Sequence, residues 1–169
     1  MIDNLKIDGC HVRQDIQVEG FSSTDPTLRF SITIVDDYND IKLAKAVAVA
    51  LANLPVSNVH TLHFYNGLLG SPEFWATELS KSLPNLRTVE LCPLSAPHWF
   101  EVFAWCMTCG ATPCLLHGVQ EVVVRRFPNE WPTLGENMDI VRDARLTEGR
   151  PIVYRYEDSS SQLPNNMYG

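Results

Sequence analysis

The chain has no run of 18 or more apolar residues in its 169 positions, so no helical membrane span is expected. Its opening, MIDNLKIDG, carries charge from residue 3 and lacks the apolar centre of a secretory signal. Positive charge is scarce as well. Thirteen Lys and Arg face 20 Asp and Glu, for a formal net charge of −7, and only Arg125-Arg126 form a basic pair. Nucleic-acid backbones and anionic membrane surfaces are recognised by clustered positive charge, so neither is an expected partner. The phosphate-cradling signatures G-x-x-x-x-G-K-[ST] and G-x-G-x-x-G are missing. No Ser or Cys nucleophile has a His and an acid at a recognisable spacing. The expectation is a non-enzymatic chain without a cofactor. Five cysteines, an odd number, in a chain without a signal point to a reducing intracellular compartment, cytoplasmic or nuclear.

What is present is a repeated phrase. Val59-x-x-Leu62-x-Phe64 and Leu86-x-x-Val89-x-Leu91 both read L-x-x-L-x-L with apolar substitutions. Between them, Phe74, Trp75, Leu79 and Leu83 recur at close to helical spacing. Ser71-Pro72-Glu73 has the residue types of a helix start, and Pro84-Asn85 of a stop. A strand with one apolar side cannot bury it alone. Like units stacked side by side form a parallel sheet with helices behind, and the shared layer becomes the core. The same phrase begins at Ile2, Val119 and Ile152. A period-2 strand, Leu28-x-Phe30-x-Ile32-x-Ile34, lies between the first copy and the rest, and His11–Gly20 alternates weakly. Counted from Leu28, the units step by 31, 27, 33 and 33 residues. Helices are expected over Ile41–Leu54, Pro97–Cys109 and Leu134–Leu146. The fold class expected is α/β: a leucine-rich-repeat-like solenoid of about five β-α units, with a parallel sheet on its concave face. One domain covers residues 1–158, and the polar, turn-rich residues 159–169 read as a disordered tail.

Three constellations compete for a functional role. Cys106-x-x-Cys109-x4-Cys114-x-x-His117 offers thiolates and an imidazole, which suit tetrahedral zinc, and makes a small zinc-stabilised protein the alternative reading. Buried cysteines of a helix end account for the same letters. Asp36-Asp37-x-x-Asp40 has carboxylates spaced for magnesium, but it follows a strand, where a loop with Asp40 as helix N-cap is the simpler account. The third is the outward row of the strands: Arg29; Thr61, His63 and Tyr65; Thr88 and Glu90; Glu121 and Arg125. Such mixed polar rows on repeat sheets bind proteins, and Tyr65 and Arg125 are the residue types that anchor interfaces.

Several segments together resemble the C-terminal leucine-rich-repeat-like region of fungal F-box-containing proteins. They are IDNLKIDG, LRFSITI with the helix after it, Leu54-Pro55-x-Ser57-Asn58-Val59-x-Thr61-Leu62, Phe74-Trp75 and Leu83-Pro84-Asn85-Leu86-Arg87-Thr88. The late run Ile140-Val141-Arg142-x-x-Arg145-x-x-Glu148-Gly149-x-Pro151 is similar to the family's ending. The resemblance reaches to about Asp158. It implies a substrate-recognition role in a ubiquitin-ligase receptor. The F-box that docks the ligase adaptor has no counterpart here, so that adaptor is a partner only if an F-box is supplied elsewhere. A truncated repeat remnant without a partner is the further alternative.

Overall fold

The computed structural model describes residues 1–10, 15–35, 40–64, 79–92, 96–109, 118–126 and 135–158. Its strands are β1 (Asn4–Cys10), β2 (Asp15–Phe21), β3 (Arg29–Val35), β4 (Thr61–Phe64), β5 (Thr88–Leu91), β6 (Glu121–Arg126) and β7 (Val153–Asp158). Its helices are α1 (Asp40–Ala52), α2 (Ala96–Cys109) and α3 (Gly135–Thr147), and residues 79–82 are helical as well. The seven strands form one open sheet in the order β3-β2-β1-β4-β5-β6-β7.

The repeated phrase does what its spacing demands. Ile2, Leu5 and Ile7; Val59, Leu62 and Phe64; Leu86, Val89 and Leu91; and Val119, Val122 and Val124 are all buried in one cluster. Strands β1, β4, β5 and β6 run parallel, with Asn4 beside Thr61, Thr61 beside Thr88 and Thr88 beside Glu121. The turns before them repeat one hydrogen-bond pattern. The Asp3 carbonyl accepts from the amides of His60 and Thr61, that of His60 from Arg87 and Thr88, and that of Arg87 from Gln120 and Glu121. The Gln120 carbonyl accepts from Val153 and carries the pattern to β7. The Asn85 side-chain amide donates to the Ser57 carbonyl at 2.8 Å and ties two successive turns together. Where the turn before β6 crosses the turn before β5, a Cβ on Gly118 would stand 2.8 Å from the Leu86 carbonyl oxygen, so only glycine fits that approach.

The sheet is mixed, not parallel throughout. β1–β2 and β2–β3 pair antiparallel, so the strand read at Leu28 is not a unit of the parallel array. It is the outer strand of a meander that begins with β1. The cause is local: the β2–β3 connection is too short for the crossover that a parallel pair needs. Ser22 Oγ accepts from the amides of Thr24 and Asp25, and Asp25 Oδ1 accepts from that of Thr27, so the turn is closed by its own side chains. Asp3 clamps that turn to β1 by accepting from the Ser23 amide at 2.8 Å and from the Ser23 hydroxyl. These bonds, the hydroxyl's above all, hold the Asp3 carboxyl below its ordinary pKa.

Helix packing falls on the side of the sheet that carries the apolar phrase. Trp99 and Phe100 of α2 are fully buried. Trp99 lies 3.9 Å from the Phe64 ring of β4 and 5.7 Å from Phe103, and Phe100 meets Tyr154 of β7 edge-on. The Tyr154 hydroxyl donates to the Met138 carbonyl of α3 at 3.2 Å. Val47 and Leu51 bring α1 into the same cluster. On that side, Gly20 of β2 leaves room for the Phe30 ring, which sits where a Cβ would be. The end of α3 is closed by Gly149 at φ 69°, whose amide donates to the Leu146 carbonyl while that of Arg150 donates to Arg145. Among the described residues the architecture is therefore two layers, with the row of Thr61, His63, Thr88 and Glu90 on the opposite face of the sheet.

Candidate functional site

That open face is built by the period of the strands. Leu62 and Phe64 point into the core, so Thr61 and His63 point away from it; Val89 and Leu91 do the same for Thr88 and Glu90. Register then brings these residues together. His63 stands beside Glu90 in the β4–β5 pairing, and its Nδ1 lies 2.9 Å from Glu90 Oε2. Arg125 of β6 donates from Nη2 to the same oxygen, also at 2.9 Å. On the far side of His63, Asn4 Oδ1 is 3.5 Å from Nε2, and the Phe21 ring of β2 is 5.7 Å from the imidazole. Five neighbouring strands thus contribute to one group centred on Glu90.

Glu90 retains only 18% side-chain exposure, with His63 at 13% and Arg125 at 29%. Burial alone would push the Glu90 carboxyl up. The hydrogen bond and charge of His63, joined by those of Arg125, outweigh it and hold the group below the ordinary glutamate value. An ionised Glu90 can only accept, so it fixes the His63 Nδ1–H and the Arg125 fork in place. Further pairs extend the pattern to both sides. Lys6 Nζ lies 3.5 Å from Glu19 across β1–β2, and Arg155 Nε lies 3.2 Å from Glu121 across β6–β7. Charges of opposite sign alternate across the strands and mark out a polar stripe perpendicular to them.

The sequence row is recovered on one face: Arg29, Thr61, His63, Thr88, Glu90, Glu121 and Arg125 share it by register. His63, Glu90 and Arg125 touch. Arg29 stands apart on the outer strand β3, beside Phe21. Tyr65 lies outside the described residues. Asn4 and Phe21 were missed, because a residue that joins the site through an antiparallel neighbour or across a long connection leaves no spacing signal. Val123 is the exception on this face. Its alternation points it outward between Glu90 and Arg155, yet it is fully buried. The mixed sheet gives the face four parallel strands and a meander, where the sequence suggested parallel units alone.

For the cysteine and histidine constellation, Cys106 is buried in the core cluster with the helix-side residues. Cys114 and His117 lie outside the described residues, as does the side chain of Cys109. The Asp36-Asp37 pair lies outside them too, and Asp40 begins α1. Among the described residues no group of three or more His, Cys, Asp or Glu could hold a metal ion, and no helix is long and apolar enough to cross a membrane. Comparison with protein-family models, with curated proteins and with solved structures finds no match to this chain.

Proposed function

We propose that the chain is a non-catalytic protein-interaction module that binds its partner on the open sheet face, with the Glu90 group at the centre. The observation that carries this reading is the shared bonding of His63 and Arg125 to one Glu90 oxygen. It holds polar side chains of several strands rigidly in a broad surface on which a protein can settle. Among the described residues the helices pack against the other face. The repeated turn pattern before β4, β5, β6 and β7 supports a leucine-rich-repeat-like array for the second half of the chain. With the F-box resemblance, it favours recognition of a protein substrate for ubiquitin transfer, with the adaptor-binding element supplied by another chain.

The test is affinity capture from extract of the source cell, with mass spectrometry. Thr88→Arg places bulk and charge on the open face without touching the Glu90 bonds, and Ala52→Arg, on an exposed position of α1, is the control. A partner lost with Thr88→Arg and kept with Ala52→Arg supports the reading. A partner indifferent to Thr88→Arg refutes it.

A further inference from the structure

The two outer strands of the sheet are unlike. β7 carries three charges among its six residues, Arg155, Glu157 and Asp158, and charge of this kind is one way proteins keep an edge from pairing. β3 reads Arg29-Phe-Ser-Ile-Thr-Ile-Val35 and has neither proline nor lysine, and no charge after its first residue. Among the described residues no strand pairs with its outer side. Its inward row of Phe30, Ile32 and Ile34 is only half-buried, and Val35 is 66% exposed.

The phase of the ladder can be read from the turn. Ser22 donates its amide to the Leu28 carbonyl, in line with the β2–β3 register. Even-numbered residues of β3 therefore bond to β2, and odd-numbered ones direct their N–H and C=O outward. A two-fold axis at Ile32 sets residue 33 of one chain against residue 31 of a second, and 29 against 35. Every outward group between Arg29 and Val35 then meets an outward group of the second strand. Shifting the axis by one residue keeps the phase but shortens the overlap. On the helix side this register stacks Phe30 on Ile34 and Ile32 on itself, both favourable cross-strand pairs. On the open side it sets Ser31 on Thr33. It also carries Val35 of the second copy to Arg29, at the rim of a hollow of about 680 Å³ lined by Phe21, Pro26 and Ser31 among others.

We propose that β3 is a homodimerisation edge: two copies of this chain pair antiparallel through Arg29–Val35 about a two-fold axis at Ile32, and join their sheets into one. The occupant is a second copy because the strand is complementary to itself in hydrogen-bond phase, in apolar pairing and in the lack of opposed like charges.

Sedimentation velocity of the full chain over a concentration range tests it. The wild type is expected to approach twice its 19.0 kDa mass. Ser31→Lys with Thr33→Lys sets lysine against lysine across the axis on exposed positions. It should give a monomer with unchanged circular dichroism, while Val153→Lys on the opposite edge leaves the dimer intact. Should the double variant fail to fold, Ile32→Cys decides the matter. Its two thiols would face each other in a non-hydrogen-bonded pair, where the Cα separation of about 4.5 Å admits a disulfide. Mild oxidation should then yield a covalent dimer well above the wild-type background. A wild type that stays monomeric at high concentration overturns the proposal. So does a dimer unaffected by the lysines, or the absence of an Ile32→Cys crosslink.

Discussion

Arg145 is buried, with 2% exposure, near the end of α3, and its Nη2 donates to the Val119 carbonyl at 2.8 Å just ahead of β6. Its contact with Glu148, at 3.6 Å and half in water, adds little. The side chain joins a helix end to the start of a strand, and it does so through a charge-assisted bond in a dry place. Arg145→Ala should therefore cost about 2 kcal/mol by leaving that carbonyl unpaired, measurable by urea unfolding; Arg145→Lys should recover little, because lysine lacks the reach of the fork. Glu90 has a different signature. Its folded pKa lies below the ordinary glutamate value, so the folded state binds fewer protons near that value. The stability it contributes is complete above about pH 4.3 and is lost as pH falls below that, through the depressed folded pKa. Thermal melts between pH 6 and pH 3 should show a steeper loss for wild type than for Glu90→Gln. Equal slopes would mean that the His63 and Arg125 bonds contribute nothing to stability.

The elements show what could be read from the chain. The apolar phrase and its helical intervals located β1, β4, β5 and β6, and the bounds of α1, α2 and α3 agree with the expected ones to within two residues. That worked because period 2 and period 3.6 are imposed by burial on one face. The strand at Leu28 was equally visible, but its direction was not. Alternation is the same in parallel and antiparallel neighbours, and only the short turn closed by Ser22 and Asp25 tells them apart. The candidate row on the open face was legible as a set, whereas its centre was not, since the bonds from His63 and Arg125 to Glu90 depend on register between distant segments. Gly118 illustrates a feature with no local signal at all: its reason is the backbone of another turn. Gly118→Ala should destabilise the fold by about 1–3 kcal/mol, since the clashing Leu86 carbonyl is main chain and cannot rotate away. Hydrogen exchange should then accelerate first at the starts of β5 and β6. Uniform acceleration across the sheet would argue against a local clash.

At the scale of the molecule, the order of the strands has a kinetic consequence. β1 lies third in the sheet, between the antiparallel meander and the parallel row, and it pairs with both. Its bonds to β2 close over a short loop, whereas those to β4 must wait for the hairpin, α1 and the connection beyond. Contacts that close short loops form early because they forfeit less chain entropy. The meander should therefore be the template onto which β4, β5, β6 and β7 add in turn. Val18→Ala in β2 should slow folding, and Ile152→Val before β7 should act chiefly on the unfolding rate. Stopped-flow kinetics of the two variants checks the order, and a reversal of the two effects would place the nucleus in the parallel row. A strand that serves two partners at different times must keep one edge open while the other is already sealed. The interval before β4 arrives is the moment at which this chain is most exposed to pairing with the wrong strand.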